Sequence, residues 1–202
     1  EIVAAAFAAG ADAVKVHVNL LHHASENRFG SVEENRAAFD RMFAVRTGPL
    51  GVVPGNTAQG VDQKAEEALA YPFDFVSLYA HHVPARLLGG APALMLACDA
   101  TYPLEEIRRF ADCAQVLEAS VIPGDGYGEP LSARDLIKYR LICEATSLPV
   151  VAPTQRAIRP GDLKPLFGTG VRGLMIGAIV TGKTRESIIR AVATYREAID
   201  RL

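Results

Sequence analysis

Val171-Arg-Gly-Leu-Met-Ile-Gly-Ala-Ile-Val-Thr-Gly-Lys183 reads as a short apolar strand that runs into Gly177-Ala178 and opens a new helical turn. Gly177 carries no Cβ, so a ligand could approach the backbone closely. The N–H groups that follow stand at a helix start, where free donors and the macrodipole favour an anion. A phosphate fits such a place. The plainer reading is that Gly177 and Gly182 only make a tight strand-to-helix turn. The rest of the chain separates the two, because it reads as the earlier units of a barrel whose last unit this is.

Outward from that stretch the same unit recurs. Residues 184–202 form an amphipathic helix, with Ile188, Ile189, Val192, Tyr195, Ile199 and Leu202 on one face. Before it come a strand at 148–152 and a helix at 159–167 begun at Pro160. The strand at 115–121 leads through a Gly-rich loop, Pro123-Gly-Asp-Gly-Tyr-Gly128, to a helix at 132–146. The strand at 94–98 precedes a helix opened by Pro103 and running to about Cys113. Strands are also expected at 50–53 and 73–79, followed by helices at 57–70 and around 85–88.

The chain opens with a helix at 1–9, closed by Gly10. Residues 13–19 alternate with period two and make the first visible strand. A loop then leads to Ser31-Val-Glu-Glu34, a capping-box pattern that starts a helix to about Val45. Seven strands, most followed by a helix, imply a parallel sheet. Residue 1 is Glu and lies inside a helical pattern, so an earlier strand is expected to precede it. Eight strands close a (β/α)8, or TIM, barrel. The alternative, an open doubly wound sheet, lacks its Gly-rich fingerprint and its ribose-binding acid. No linker or low-complexity run interrupts residues 1–202, so one α/β domain is expected.

The 202 residues are 50% hydrophobic and 22% charged, with a net charge of -2 and no block of like charge. That balance argues against nucleic acid or an anionic membrane as partner. No apolar run reaches the length of a membrane span. Cys98, Cys113 and Cys143 lack metal-ligand spacing and read as reduced thiols of a cytoplasmic protein. Cys113 and Cys143 read more simply as small packing residues.

Pro149-Val-Val-Ala-Pro-Thr-Gln155 resembles the seventh strand of the ribulose-phosphate-binding barrels, and residues 171–182 resemble their eighth strand and phosphate turn. That group includes the tryptophan-pathway barrels, ribulose-phosphate epimerase, N-acylmannosamine-phosphate epimerase and thiamin-phosphate synthase. Gly10-Ala-Asp-Ala-Val-Lys-Val-His-Val-Asn19 is similar to a strand of the class I aldolases of the same fold. Two departures stand out. Thr154-Gln155-Arg156 occupies the place of the group's Gly after strand seven. The His-x-Asp of metal-dependent pentulose epimerases would be His17-Val18-Asn19, with no Asp. The resemblance implies the fold and the phosphate grip, and no single reaction.

In a barrel the reacting groups sit at the C-terminal ends of strands. Lys15, His17 and Asn19 share one face of their strand, and Val14, Val16 and Val18 share the other. If the valines meet helices, three polar groups point into the barrel. Lys15 is then a candidate electrophile or imine-forming amine, and His17 a candidate acid or base. The plainer reading of Lys15 is a structural charge paired with an acid such as Glu118. Glu118 interrupts an apolar strand and Asp99 ends one, so both are candidate catalytic carboxylates. Asp99 reads nearly as well as a helix cap ahead of Pro103.

For the phosphate the candidates are Thr154, Gln155 and Arg156 facing Gly177 and Ala178, with Thr181 and Lys183 in support, and Asn19 and Arg28 for the rest of the substrate. The 124–129 loop reads as a lid carrying a Tyr, or as a plain turn. His22-His23 and His81-His82 are adjacent pairs in loops. A zinc site from His17, His81 and a carboxylate lacks supporting spacing, so no metal and no cofactor are expected.

The sequence is read as an enzyme of a small phosphorylated metabolite, first an isomerase or epimerase that moves a proton beside a carbonyl. A class I lyase through Lys15 is the alternative. A metal-dependent hydrolase and a non-catalytic phosphate-ligand binder stay open, as does a homo-oligomer.

Overall fold

The computed structural model describes residues 1–22, 25–90 and 92–202. Helix α1 (Ile2–Ala8) leads into strand β1 (Val14–His17), a two-stranded ribbon of β2 (Leu20–Leu21) and β3 (Arg28–Phe29), and helix α2 (Val32–Val45). Then come β4 (Leu50–Val53), α3 (Ala58–Leu69), β5 (Phe75–Tyr79), β6 (Ala93–Cys98), α4 (Leu104–Arg109) and β7 (Val116–Ala119). The chain continues through α5 (Ala133–Ala145), β8 (Val150–Pro153), α6 (Leu163–Phe167), β9 (Gly173–Met175), α7 (Ala178–Thr181) and α8 (Arg185–Asp200).

Helix starts follow the local chemistry of the sequence. Ser31 Oγ accepts from the Glu34 amide while the Glu34 carboxylate accepts from the Ser31 amide, so the expected capping box is formed. Ser132 and Asp135 do the same for α5, and Thr184 and Ser187 for α8. Two expectations change. The segment around 85–88 is a single 3-10 turn, Ala85–Leu87. Pro103 stands just before α4 rather than inside it, and that helix gives way to a 3-10 turn at Phe110–Asp112. Gly10 and the first residues beyond it turn the chain back into β1 with Gly10 at φ +102°, a conformation that other residues rarely adopt.

Among the described residues, seven strands pair in the order β1-β4-β5-β6-β7-β8-β9, all parallel. Consecutive neighbours joined by helices or turns are the signature of a singly wound sheet, which excludes the doubly wound alternative. Among the described residues no β1–β9 pairing closes the ring, so the seven strands expected of this chain form an open sheet rather than a closed barrel.

The register sorts every strand into two faces. Lys15 pairs with Gly51 and Gly51 with Phe75; Ala97 pairs with Glu118 and Glu118 with Val151. These residues share the concave side with His17, Ser77, Tyr79 and Ser120. The other face carries Val18, Leu50, Val52, Leu96, Cys98, Leu117, Ala119 and Ala152, each 3% exposed or less, packed beneath the helices. Full burial of one such aliphatic side chain contributes about 1.5–3 kcal/mol. Val14 and Val16 join that core as partly buried members, as their alternation predicts. Among the described residues no helix is long and apolar enough to cross a membrane.

Candidate active site

Three strands, β1, β5 and β7, bring one polar cluster together on the concave face. Lys15 Nζ lies 2.7 Å from Glu118 Oε2 and 3.1 Å from Ser77 Oγ. Ser77 Oγ donates to the same Glu118 oxygen at 2.7 Å, and Ser120 Oγ donates to Glu118 Oε1 at 3.0 Å. Ser120 also acts on the Tyr79 phenol, lowering its pKa against the larger upward push of burial. The Lys15 and Glu118 side chains are only 12% and 10% exposed, so this is a buried ion pair. Burial pushes the Glu118 carboxyl up, but the Lys15 ammonium and the hydroxyls of Ser77 and Ser120 outweigh it and hold it below its ordinary value. Glu118 is therefore an ionised acceptor, ready to take a proton only when its partners are displaced.

His17 stands one step above Lys15 on the same face. Its ring stacks on Phe29 at 5.2 Å and meets the edge of His22 at 4.7 Å. Burial first, then the charges of Lys15 and His22, lower its pKa to about 3. The imidazole is neutral at neutral pH, which removes it as an acid and leaves it as a donor or a weak base. The unfolded chain takes up its proton near pH 6.5, whereas the fold resists until about 3, so stability is full above the unfolded value and falls as pH drops. Between pH 7 and 5 the loss is expected to reach about 2 kcal/mol. Urea unfolding at the two pH values checks it: His17→Gln should flatten that difference, and an unchanged difference would place its origin elsewhere.

A cavity of about 550 Å³ opens beside the cluster at the C-terminal ends of β5 to β8, with Tyr79, Asp99, Ser120, Ile122, Tyr127 and Gln155 among its walls. Asp99 is where the sequence reading put it, at a strand end, and it also serves the local turn. Its Oδ1 accepts from the Thr101 amide at 2.8 Å and the Thr101 hydroxyl at 2.6 Å. It does not cap α4, whose N-cap is Pro103.

The glycine-rich loop is tied down rather than loose. Arg156 grips Asp135 through Nε and Nη2 and donates from Nη1 to the Gly126 carbonyl. Gly128 donates to the Gln155 carbonyl, and Gln155 Nε2 to the Tyr127 phenol oxygen. Arg156 is thus a strut for the loop, with Nε, Nη1 and Nη2 all engaged by Asp135 and Gly126. Arg156→Ala should cost about 2 kcal/mol through lost charge-assisted bonds. Proteolysis should then nick residues 123–129 faster, and equal nicking rates would show that the strut holds nothing.

The turn after β9 is partly occupied by its own fold. The Gly177 amide donates to Thr154 Oγ1 at 2.9 Å, so neither group is idle. The amides of Ala178 and Ile179, at the start of α7, donate to no partner among the described residues. A Cβ on Gly177 would meet only Thr154 Oγ1, at 4.0 Å, so the space beside the Gly177 Cα is open. With four residues, α7 offers donors but little macrodipole. Gln155 is buried and committed at both ends, its Oε1 accepting from the Ile122 amide.

Other expected site residues stand apart. Arg28 is 75% exposed at its side chain and faces Glu34, so the structure does not bring it to the cluster. Asn19, two residues beyond β1, has φ 58° and donates from Nδ2 to the Pro54 carbonyl. His17 belongs with Phe29 and His22, whereas His81 belongs with Tyr79, His82 and Tyr102. No group of three potential metal ligands occurs among the described residues, so the suggested zinc triad is not assembled. His23 lies outside the described residues. Ser77, Ser120 and Tyr79 were not singled out from sequence, although each lies two or more even steps along a strand from another inward residue.

Comparison with known proteins places this geometry on a shared fold. No protein-family model matches the chain, and no curated protein matches it. Solved structures do. Thiamine phosphate pyrophosphorylase from Pyrococcus furiosus superposes with a TM-score of 0.66 at 22% identity, covering 99% of this chain and 88% of that one. A native KDPGal structure gives 0.65 at 17% identity over 99% and 87%. Phosphoribosyl anthranilate isomerase from Thermus thermophilus gives 0.62 at 18% over 98% and 92%. At such identities the likeness is one of fold, that of the TIM-barrel-like proteins the resemblance implied.

Proposed function

We propose that this protein is an enzyme of a small phosphorylated metabolite, and that it moves a proton beside a carbonyl. The observation that carries the reading is the Lys15–Glu118 pair, a buried amine and carboxylate bridged by Ser77, with Ser120 on the second Glu118 oxygen and on the wall of an open cavity. A buried charge pair is weak evidence for stability but a frequent mark of chemistry. In this reading Lys15 polarises the carbonyl oxygen, and Glu118, released from Lys15, accepts the proton from the adjacent carbon. The neutral His17 donates a hydrogen bond to the developing enolate.

The phosphate is assigned to the loops after β8 and β9, with the Ala178 and Ile179 amides as donors and the Thr154 hydroxyl beside them. The names of two structural neighbours contain a phosphate ester, which supports this assignment. The open edges of β1 and β9 are compatible with one further parallel strand that would complete a barrel around the site.

A second reading keeps the same residues and gives Lys15 the role of imine-forming amine. Its contact with Glu118 favours it, because a carboxylate beside a lysine can shuttle the protons that imine formation requires. Borohydride added with each of a panel of phosphorylated aldoses, ketoses and oxo acids separates the two. Mass labelling at Lys15 selects the imine. Turnover without labelling selects direct proton transfer. Turnover of the unphosphorylated compounds at equal efficiency would remove the phosphate from either reading.

A further inference from the structure

The cavity beside the cluster has a charge pattern that the phosphate assignment does not use. Its lining contains one carboxylate, Asp99, and no lysine, arginine or histidine. Burial pushes the Asp99 carboxyl up, but two hydrogen bonds from Thr101, with His81 and Lys138 nearby, hold it below its ordinary value. It is ionised at neutral pH. Both bonds from Thr101 end on Oδ1, so Oδ2 keeps its acceptor capacity for a ligand.

The neighbouring charges do not reverse that sign. Glu118, beneath Ser120, already has the Lys15 ammonium against it. Lys138 donates to the Val121 carbonyl, and the His81 ring is engaged with Tyr102. Burial pushes the Tyr79 phenol up to about 12 and raises that of Tyr127, so both walls are neutral rings. These two rings, with Ile122 and Pro123, give the cavity a largely apolar lining. An anion here would meet the Asp99 carboxylate on the wall, with the nearest ammonium, that of Lys138, outside the lining and bonded to the Val121 carbonyl. A cation would gain Asp99 and the aromatic rings together.

We infer that the Tyr79–Asp99–Tyr127 cavity is a subsite for a planar group bearing an amine or another cationic donor. It rests on the proposed function only in joining that group to a phosphate held by the loops after β8 and β9; Gln155 lies between the two regions. The substrate is then dipolar, with its anionic end at the last strands and its amine-bearing end toward β5 and β6.

Tryptamine and indole-3-acetate share one ring and differ in charge, and the chain contains no Trp to obscure indole fluorescence. Titrated into the intact protein, tryptamine is expected to bind at least tenfold more tightly than indole-3-acetate. Asp99→Asn should abolish the preference, with circular dichroism reporting on the fold. Should that variant not fold, Tyr127→Leu gives the second reading, lowering tryptamine affinity without reversing the preference. Equal affinity for the two probes, no tryptamine binding at millimolar concentration, or a preference that survives Asp99→Asn would overturn the inference. Inorganic phosphate titrated separately keeps the readings distinct. A lost phosphate site with the amine preference intact would sink the phosphate assignment alone.

Discussion

Glu118→Ala is expected to destabilise the protein by about 3–5 kcal/mol, which is the usual effect of stranding one member of a buried ion pair. The variant leaves the Lys15 ammonium among Ser77 and apolar neighbours, with one hydroxyl where a carboxylate stood. Because 12% of the Lys15 side chain is exposed, some water reaches it, and the lower end of that range is expected. Urea unfolding at neutral pH measures it. The double variant Lys15→Met with Glu118→Leu should recover most of the loss, because two apolar groups need no partner. If the single variant lost less than about 1 kcal/mol, the pair would be solvated and the buried cluster would not exist as described. Acid should act on the same contact. The Glu118 pKa is depressed by folding, so its contribution is present above the ordinary carboxylate range and is lost as pH falls through the folded value.

The larger kinetic effect concerns the conservative variant. Glu118→Gln keeps the shape and a hydrogen bond to Ser120 but removes the group that takes the proton. A fall in kcat of about 10²–10⁴-fold is expected on any phosphorylated compound that the protein turns over. Lys15→Met should fall as far, since it removes either the electrophile or the amine. Ser120→Ala should be milder, because it loosens one Glu118 oxygen and leaves the other held by Lys15 and Ser77. Circular dichroism and gel filtration must show the variants folded before rates are compared. A Glu118→Gln protein that kept its rate would leave the cluster structural and move the chemistry to Asp99 or outside the cavity.

How far the sequence foretold this arrangement depends on the range of the interaction. Local signals were legible. The period-two alternation of residues 13–19 put Lys15 and His17 on the inward face, and Ser31 with Glu34 marked the start of α2. Glu118 was conspicuous because a charge inside an apolar strand needs a partner, and that partner is Lys15 across the sheet. Ser77 and Ser120 carried no comparable signal, since serine is tolerated on either face of a strand. Their significance comes only from register. The β2–β3 ribbon was read as loop because each of its strands has two residues and its geometry depends on Asn19 at positive φ. The strut made by Arg156 carries no local signal, because Asp135, its partner, lies 21 residues earlier. Thr154 illustrates the same limit, as the hydroxyl expected to meet a ligand also accepts the Gly177 amide.

Exchange of a carbon-bound substrate proton for solvent deuterium, followed by proton NMR, tests the central claim most directly. The wild-type protein in D2O should wash out the signal beside the carbonyl of at least one phosphorylated metabolite, while its dephosphorylated counterpart stays protonated, and Glu118→Gln should slow the exchange by at least about a hundredfold. Exchange that proceeds equally in Glu118→Gln, or that ignores the phosphate, would contradict the account.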